Sequence, residues 1–107
     1  MTAARFDELI HQSTRLSIMS LLAGADWIEF GFIRDQLELS DSALSKQLST
    51  LEEAGYATLD QILGQGRRRL RARLTPAGRA AFQGHVAALR DIVGGGALAE
   101  PLEVKAG

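Results

Sequence analysis

The sequence predicts one small domain that is mainly α-helical, with a single β-hairpin, in the order helix, strand, helix, helix, hairpin, helix. Three observations predict this fold. Leucines at positions 44, 48 and 51 recur at the spacing of a helix. Residues 69–74 alternate basic and apolar side chains shortly after a glycine-rich turn. The length of 107 residues, with 46% hydrophobic and 23% charged residues, is typical of one globular domain.

The N-terminal third is predicted to form two helical segments and a strand, followed by a short helix. A first helical signal at 6–10 precedes a longer helix that follows Ser13 and Thr14, both good N-caps, and ends at Gly24. Residues 27–30, with the sequence WIEF, are aromatic and β-branched, which favours a short strand broken by Gly31. Residues 32–37 then predict a helix of about two turns.

The clearest helix covers residues 41–54. Ser40 is a natural N-cap, and Asp41 in the first turn suits the positive end of the helix dipole. Gly55 follows the apolar stripe at the position where a glycine commonly ends a helix.

A hairpin follows, with strands at 56–63 and 67–74 and a turn at 64–66. Alternation places Leu70, Ala72 and Leu74 on one face of the second strand, and Arg69, Arg71 and Arg73 on the other. Thr75 and Pro76 predict the cap and first residue of a last helix that runs to about residue 93. Three glycines then stop it, so residues 1–93 form the domain and 94–107 a flexible tail.

Charge is unevenly distributed along the chain. The formal net charge is -1, yet residues 40–79 carry seven basic and four acidic side chains, a balance of +3. A polyanion would therefore dock on the middle third. The chain has no cysteine, which excludes disulfides and thiolate metal sites, and the cytoplasm is the expected compartment. No apolar run is long enough for a membrane span, and no motif calls for a cofactor.

Helices at 32–37 and 41–54, joined by Glu38, Leu39 and Ser40, form a helix-turn-helix pattern. The face opposite the leucine stripe is polar and carries Ser42, Lys46, Ser49, Thr50 and Glu53, with Ser45 on its flank. Such a face fits the DNA major groove, although a plain solvent-facing surface has the same composition. The arginines of the hairpin suit phosphate, or they protect an exposed strand edge from aggregation.

The run LELSDSALSKQLSTLEEAGYATL, the basic hairpin and LTPAGRAAF together resemble bacterial winged helix-turn-helix regulators of the MarR-like and ArsR-like groups, over about residues 13–93. The resemblance implies a homodimer that binds double-stranded DNA and regulates transcription. It places Ser40, Ser42, Ser45, Lys46, Ser49 and Thr50 on the recognition helix, and Arg67, Arg68, Arg69 and Arg71 on the wing. Arg15 and Arg34 are either further phosphate contacts or solvated. A protein-interaction module that binds an acidic partner is the alternative function.

The last helix carries more apolar surface than one small domain needs, which predicts a symmetric dimer through the terminal helices. The alternative is that the core of the domain itself absorbs this surface. The expected interface residues are Phe6, Leu9, Ile10, Phe82, His85, Val86, Leu89 and Ile92. His11 and His85 make a poor metal site without a carboxylate at ligand spacing, so surface or interface histidines are expected. Trp27 and Phe30 are expected to pack in the core or beneath the wing rather than to stack on bases. No nucleophile, phosphate loop or metal motif suggests an enzyme.

Overall fold

The structure, a computed structural model, describes residues 3–64 and 67–94, and for residues 63, 64, 67 and 68 it describes the backbone alone. The predicted tail beyond residue 94 lies outside this part of the chain. The elements are α1 (Glu8–His11), α2 (Ser13–Ala23), β1 (Ile28–Glu29), α3 (Phe30–Leu37), α4 (Asp41–Glu53), β2 (Ala57–Gly64), β3 (Arg67–Leu74) and α5 (Pro76–Val93). The strands form one antiparallel sheet in the order β1-β3-β2. The predicted fold class, mainly helical with a hairpin wing, is confirmed.

Two boundaries in the N-terminal third differ from the prediction. The cap of α2 is Gln12, whose side chain accepts a hydrogen bond from the Arg15 amide at 2.9 Å, so Ser13 and Thr14 lie inside the helix. Gln12 has an extended backbone because it separates α2 from α1, which is capped by the Asp7 carboxylate and ends at His11.

The predicted strand at 27–30 is shorter in the structure, and Gly31 does not break it. Phe30 already begins α3, and Gly31 lies within that helix. Only two residues of β1 pair with β3, Ile28 opposite Ala72 and Glu29 opposite Arg71. The turn into α3 at this point brings Ile33 into the core, where its side chain is fully buried.

The start and end of α4 follow the predicted local signals. The Ser40 hydroxyl accepts a hydrogen bond from the Ala43 amide at 3.1 Å and so caps the first turn. Gly55 has a φ of 82°, in the left-handed region that glycine adopts without a Cβ clash. The Tyr56 amide then donates to the Leu51 carbonyl at 2.9 Å, which closes the end of the helix and directs the chain into β2.

The core lies between the helices and the inner face of the sheet. Its fully buried large side chains are Ile10, Ile18, Met19, Leu22, Ile33, Leu44, Leu48, Leu51 and His85. From the sheet, Ala57, Ala72 and Leu74 are buried, whereas Leu70 is half-exposed. The hairpin therefore leaves the core between residues 72 and 70, as the wing projects outward.

The start of α5 is fixed against the end of β3. The Thr75 hydroxyl accepts from the Gly78 amide at 2.9 Å, with Pro76 at the first helical position as predicted. Gly78 packs against the Tyr56 carbonyl so closely that a Cβ would overlap it. No helix in residues 3–64 and 67–94 is both long enough and apolar enough to cross a membrane.

Candidate nucleic-acid interface

The turn between α3 and α4 is held by a basic side chain and a strained residue. Glu38 has a φ of 54°, and the Leu39 amide donates to the Arg34 carbonyl at 3.0 Å. The Arg34 guanidinium pairs with Asp35 at 3.0 Å and with Asp41, in the first turn of α4, at 2.9 Å. Hydrogen bonds to these two carboxylates raise the pKa of Arg34 above its ordinary value. Arg34 therefore braces the two helices rather than standing free as a phosphate ligand.

The predicted recognition face of α4 points into solvent. Leu44, Leu48 and Leu51 are buried on the opposite side of the helix. The exposed side chains are those of Ser40, Ser42, Ser45, Lys46 and Ser49. Thr50 is half-buried, and its hydroxyl donates to the Lys46 carbonyl at 3.1 Å, so that donor is already used within the helix. The Ser40 hydroxyl is likewise engaged as the cap.

The inner flank of α4 is tied to the rest of the domain. The Gln47 side-chain oxygen accepts a hydrogen bond from Arg15 Nη1 at 2.8 Å. Arg15 Nε donates in turn to the Leu9 carbonyl at 2.6 Å. Arg15 therefore links α4 to α1, which is neither of the two roles that the sequence suggested for it.

The outer face of the sheet carries Arg69, Arg71 and Arg73, as the alternation predicts, and there each of these three pairs with a carboxylate. Arg71 Nη2 and Nε lie 3.0 and 3.2 Å from Asp60 Oδ2. Arg69 Nη1 lies 3.4 Å from Glu29 Oε2, and Arg73 Nη1 lies 3.7 Å from Asp26 Oδ1. The backbone of Arg67 and Arg68 pairs with Gly64 and Leu63 at the tip of the hairpin. The side chains of Arg67 and Arg68 lie outside the described part of the structure.

The acidic partners of the wing arginines were missed in the sequence. Asp60 lies opposite Arg71 because Gly64 pairs with Arg67 in the hairpin, whereas the predicted turn at 64–66 would have placed Asp60 opposite Leu70. Glu29 and Asp26 come from a distant part of the chain, and no local pattern indicates their position.

The predicted dimer residues divide into buried and exposed sets. Ile10 and His85 are fully buried within one protomer, so the prediction that they line a dimer interface is wrong. Both fill the space between α1 and α5, because the short α1 folds back over the long helix. Phe6 and Ile92 are 37% and 56% exposed. The remaining four are half-buried: Leu9, Phe82, Val86 and Leu89.

His11 and His85 lie next to each other, and both rings pack against Phe6. The sequence predicted surface or interface histidines, whereas His85 is fully buried. His11 Nδ1 lies 3.3 Å from His85 Nε2, and the Asp7 amide donates to His85 Nδ1 at 3.0 Å. Because Nδ1 accepts a hydrogen bond, neutral His85 carries its proton on Nε2, and this N–H donates a hydrogen bond to His11 Nδ1. Burial, and then the neighbouring His11, lower the pKa of His85 below its ordinary value. In the described residues, no three side chains of the metal-binding types cluster around a possible metal ion.

Asp7 connects this cluster to the start of β2. Its carboxylate caps α1 through the Leu9 and Ile10 amides and also accepts a hydrogen bond from the Tyr56 hydroxyl. That hydrogen bond raises the pKa of Tyr56, with burial as the second cause. The N-terminal segment is therefore fixed both to α5 and to the base of the wing.

A comparison with protein families gives a match over most of these elements. The model described as "Winged helix DNA-binding domain" matches residues 14–93, from α2 to the end of α5. The chain belongs to this family. This family is one of DNA-binding domains rather than of enzymes.

Individual relatives are distant in sequence. An uncharacterised protein of Methanocaldococcus jannaschii is 29% identical over 79 residues, which cover 74% of this chain and 86% of the relative. A transcriptional regulator homologue from Pyrococcus horikoshii OT3 has a similar structure, with a TM-score of 0.78 and 21% identity over 83% of this chain and 88% of that one. Reduced AbfR bound to DNA is similar with a TM-score of 0.64 and 19% identity, over 86% and 65% of the two chains. At these identities the two structures show a shared fold.

Proposed function

We propose that this protein is a sequence-specific transcriptional regulator that binds double-stranded DNA as a homodimer. In this proposal α4 enters the major groove and the tip of the wing contacts phosphate or the adjacent minor groove. The observation that carries the proposal is the exposed polar face of α4, with Ser42, Ser45, Lys46 and Ser49 on a helix braced from both ends.

The chemistry of this face suits reading of base edges. Serine hydroxyls both donate and accept hydrogen bonds, and a lysine donates to guanine or to phosphate. Glu52 and Glu53 are exposed at the far end of the same helix and would repel phosphates. The N-terminal half of α4 is therefore the part that enters the groove, which is the usual docking geometry of a recognition helix.

The bracing of α4 favours the same function. The pair of Arg34 with Asp41 fixes its first turn against α3, and Gly55 fixes the direction in which the chain leaves its last turn. A reading helix needs this rigidity, because base contacts require side chains held in a defined geometry. The DNA-bound form of AbfR, which has a similar fold, supports the choice of DNA as the partner.

Selection of bound fragments from the source genome tests the DNA-binding proposal. We expect enrichment of a limited set of upstream fragments that share a pseudo-palindromic motif, with half-sites about one helical turn apart or a multiple of it. Enrichment that is indistinguishable from random DNA would refute sequence-specific binding.

A matched pair of serine variants then tests the role of α4. Ser45→Ala removes a hydroxyl from the proposed reading face, whereas Ser17→Ala removes one from the exposed side of α2. If Ser45 contacts a base, its loss costs about 1–3 kcal/mol of discrimination against the wrong base, and Ser17→Ala leaves discrimination unchanged. Lys46→Ala should lower specific affinity further, since it also removes a charge. Equal effects on selected and random DNA would show that α4 does not read sequence.

The homodimer is supported by apolar surface at the end of α5 and in the N-terminal segment. Phe6, Ile92 and Val93 are large, apolar and exposed in the protomer, and Phe82, Val86 and Leu89 lie half-buried along the same helix. Exposed apolar clusters on small proteins usually mark an interface. Ile92→Lys should shift the protein from dimer to monomer in sedimentation equilibrium.

Phe32→Lys is the matched control for the dimer test. Phe32 is 54% exposed on α3, against 56% for Ile92, but it lies outside the proposed interface. The control variant should remain dimeric. A monomeric wild type, or dissociation by both substitutions, would contradict an interface on α5.

A further inference from the structure

Trp27 lies on the outer face of the sheet beneath two arginines of the wing strand. The guanidinium carbon of Arg71 is 4.1 Å from the centroid of its ring, and that of Arg73 is 4.5 Å away. Both distances are well within the range of a cation–π contact, for which tryptophan is the best aromatic partner. One indole therefore holds two neighbouring cations of the same strand face.

The same arginines are also paired with carboxylates. Among the residues described on this face, Arg69, Arg71 and Arg73 pair with Glu29, Asp60 and Asp26, so three positive charges meet three negative ones. Asp60 contacts two nitrogens of Arg71, which fixes the plane of that guanidinium. Between residues 69 and 73, each arginine of β3 is thus paired with a carboxylate.

The backbone alone attaches this side of the hairpin weakly. β1 is only two residues long, and its pairing with β3 consists of two residue pairs. Trp27 immediately precedes β1, so its contacts with Arg71 and Arg73 extend the attachment beyond the last backbone pair. The direction in which the wing leaves the domain therefore depends on these side chains.

We infer that Trp27 is a positioning residue for DNA binding, which clamps Arg71 and Arg73 onto the sheet and so sets the direction of the wing. The role of Arg69, Arg71 and Arg73 is then to stabilise the hairpin, and they do not contact phosphate. Of the four wing arginines that the sequence assigned to DNA, only Arg67 and Arg68, at the tip, keep that assignment. This inference rests on the proposed DNA-binding function and replaces the sequence-based assignment of Arg69 and Arg71 to DNA.

Trp27 is the single tryptophan of the chain, so its fluorescence reports on the clamp directly. If Arg71 and Arg73 stay on the indole, saturation with a selected DNA fragment leaves the emission maximum and acrylamide quenching of Trp27 unchanged. If the arginines leave the ring to bind phosphate, both signals change, and the clamp is refuted. Arg71→Ala supplies the reference spectrum for a ring with one cation removed.

Two substitutions of Trp27 test its positioning role. Trp27→Leu removes the ring and both cation contacts, and we expect specific affinity to fall roughly tenfold, the equivalent of two exposed cation–π contacts. Trp27→Phe keeps a ring and should stay within about threefold of wild type, since phenylalanine also binds cations. Circular dichroism at the assay temperature checks that each variant is folded, so that a loss of affinity caused by unfolding is not attributed to the clamp.

Salt dependence separates the strand arginines from the tip. Arg71→Ala should leave the slope of log K against log salt unchanged, whereas Arg67→Ala should reduce it by about 0.9. A reduced slope for Arg71→Ala, or full affinity for Trp27→Leu, would overturn the clamp while leaving DNA binding intact. If the wild type itself binds no DNA, the proposed function fails first.

Discussion

Alanine substitutions at two glycines test the backbone geometry that connects α4 to the wing. Gly55 and Gly24 both follow a helix, and at both positions a Cβ would have room. No heavy atom lies within 4 Å of a Cβ at Gly55, and the nearest to one at Gly24 is the Leu21 carbonyl oxygen at 3.7 Å. The two sites differ in backbone conformation, because φ is 82° at Gly55 and -90° at Gly24.

The two substitutions should therefore have opposite signs. Alanine in the left-handed region costs roughly 1–2 kcal/mol, from which about 0.4–1 kcal/mol is recovered because the unfolded chain has less freedom. Gly55→Ala should thus lower the free energy of unfolding by about 1 kcal/mol. Gly24→Ala should raise it by about 0.4–1 kcal/mol, since only the effect on the unfolded chain remains.

Thermal and urea unfolding measure the difference. For a domain of this size, 1 kcal/mol corresponds to roughly 4–8 °C in Tm. We expect Gly55→Ala to melt below the wild type and Gly24→Ala above it, with similar urea m values for all three proteins. Equal shifts of the same sign would refute the left-handed conformation at Gly55 and, with it, the geometry that directs the chain from α4 into the wing.

Other predictions concern the capping of α4 and the buried histidine. Ser40→Ala removes the side-chain acceptor of the Ala43 amide and should cost about 1 kcal/mol in urea unfolding, whereas Ser40→Asp should be nearly neutral; equal losses would exclude capping. The lowered pKa of His85 means that the unfolded chain takes up a proton near pH 6.5 that the folded protein does not, so stability falls as the pH drops below about 6.5, by at most about 1.4 kcal/mol per pH unit. His85→Gln should flatten the change in Tm between pH 7.5 and 5.5, and an unchanged pH dependence would show that His85 does not cause it.

Much of the fold could be predicted because its signals are local. The leucine stripe of α4, its Ser40 cap, the glycine after it and the Thr75-Pro76 start of α5 each depend on residues within one or two turns. The strand boundary at Phe30 was wrong because tertiary packing decides it. Ile33 can reach the core only if the helix starts before the glycine that the sequence suggested as a break.

The site was predictable to a smaller extent, for the same reason. Periodicity identified the exposed face of α4 and the outward arginines of β3. It could not show that Arg34, Arg69 and Arg71 meet carboxylates, or that His85 is buried against His11. Those contacts join residues that lie far apart in the chain or in different elements. Composition alone therefore gave no sign that the arginines have carboxylate partners.

The dependence of DNA affinity on salt tests the central claim most directly. Binding of a selected fragment should weaken steeply between 50 and 200 mM salt, because each neutralised phosphate releases counterions. With Arg67 and Arg68 both changed to alanine, the slope of log K against log salt should become shallower by about 1.8, or about 0.9 for each lost phosphate contact. Arg90→Ala, which removes one charge from the last turn of α5, should leave it unchanged. A slope near zero in the wild type, or the same slope in the double variant, would contradict a wing that holds DNA by its tip.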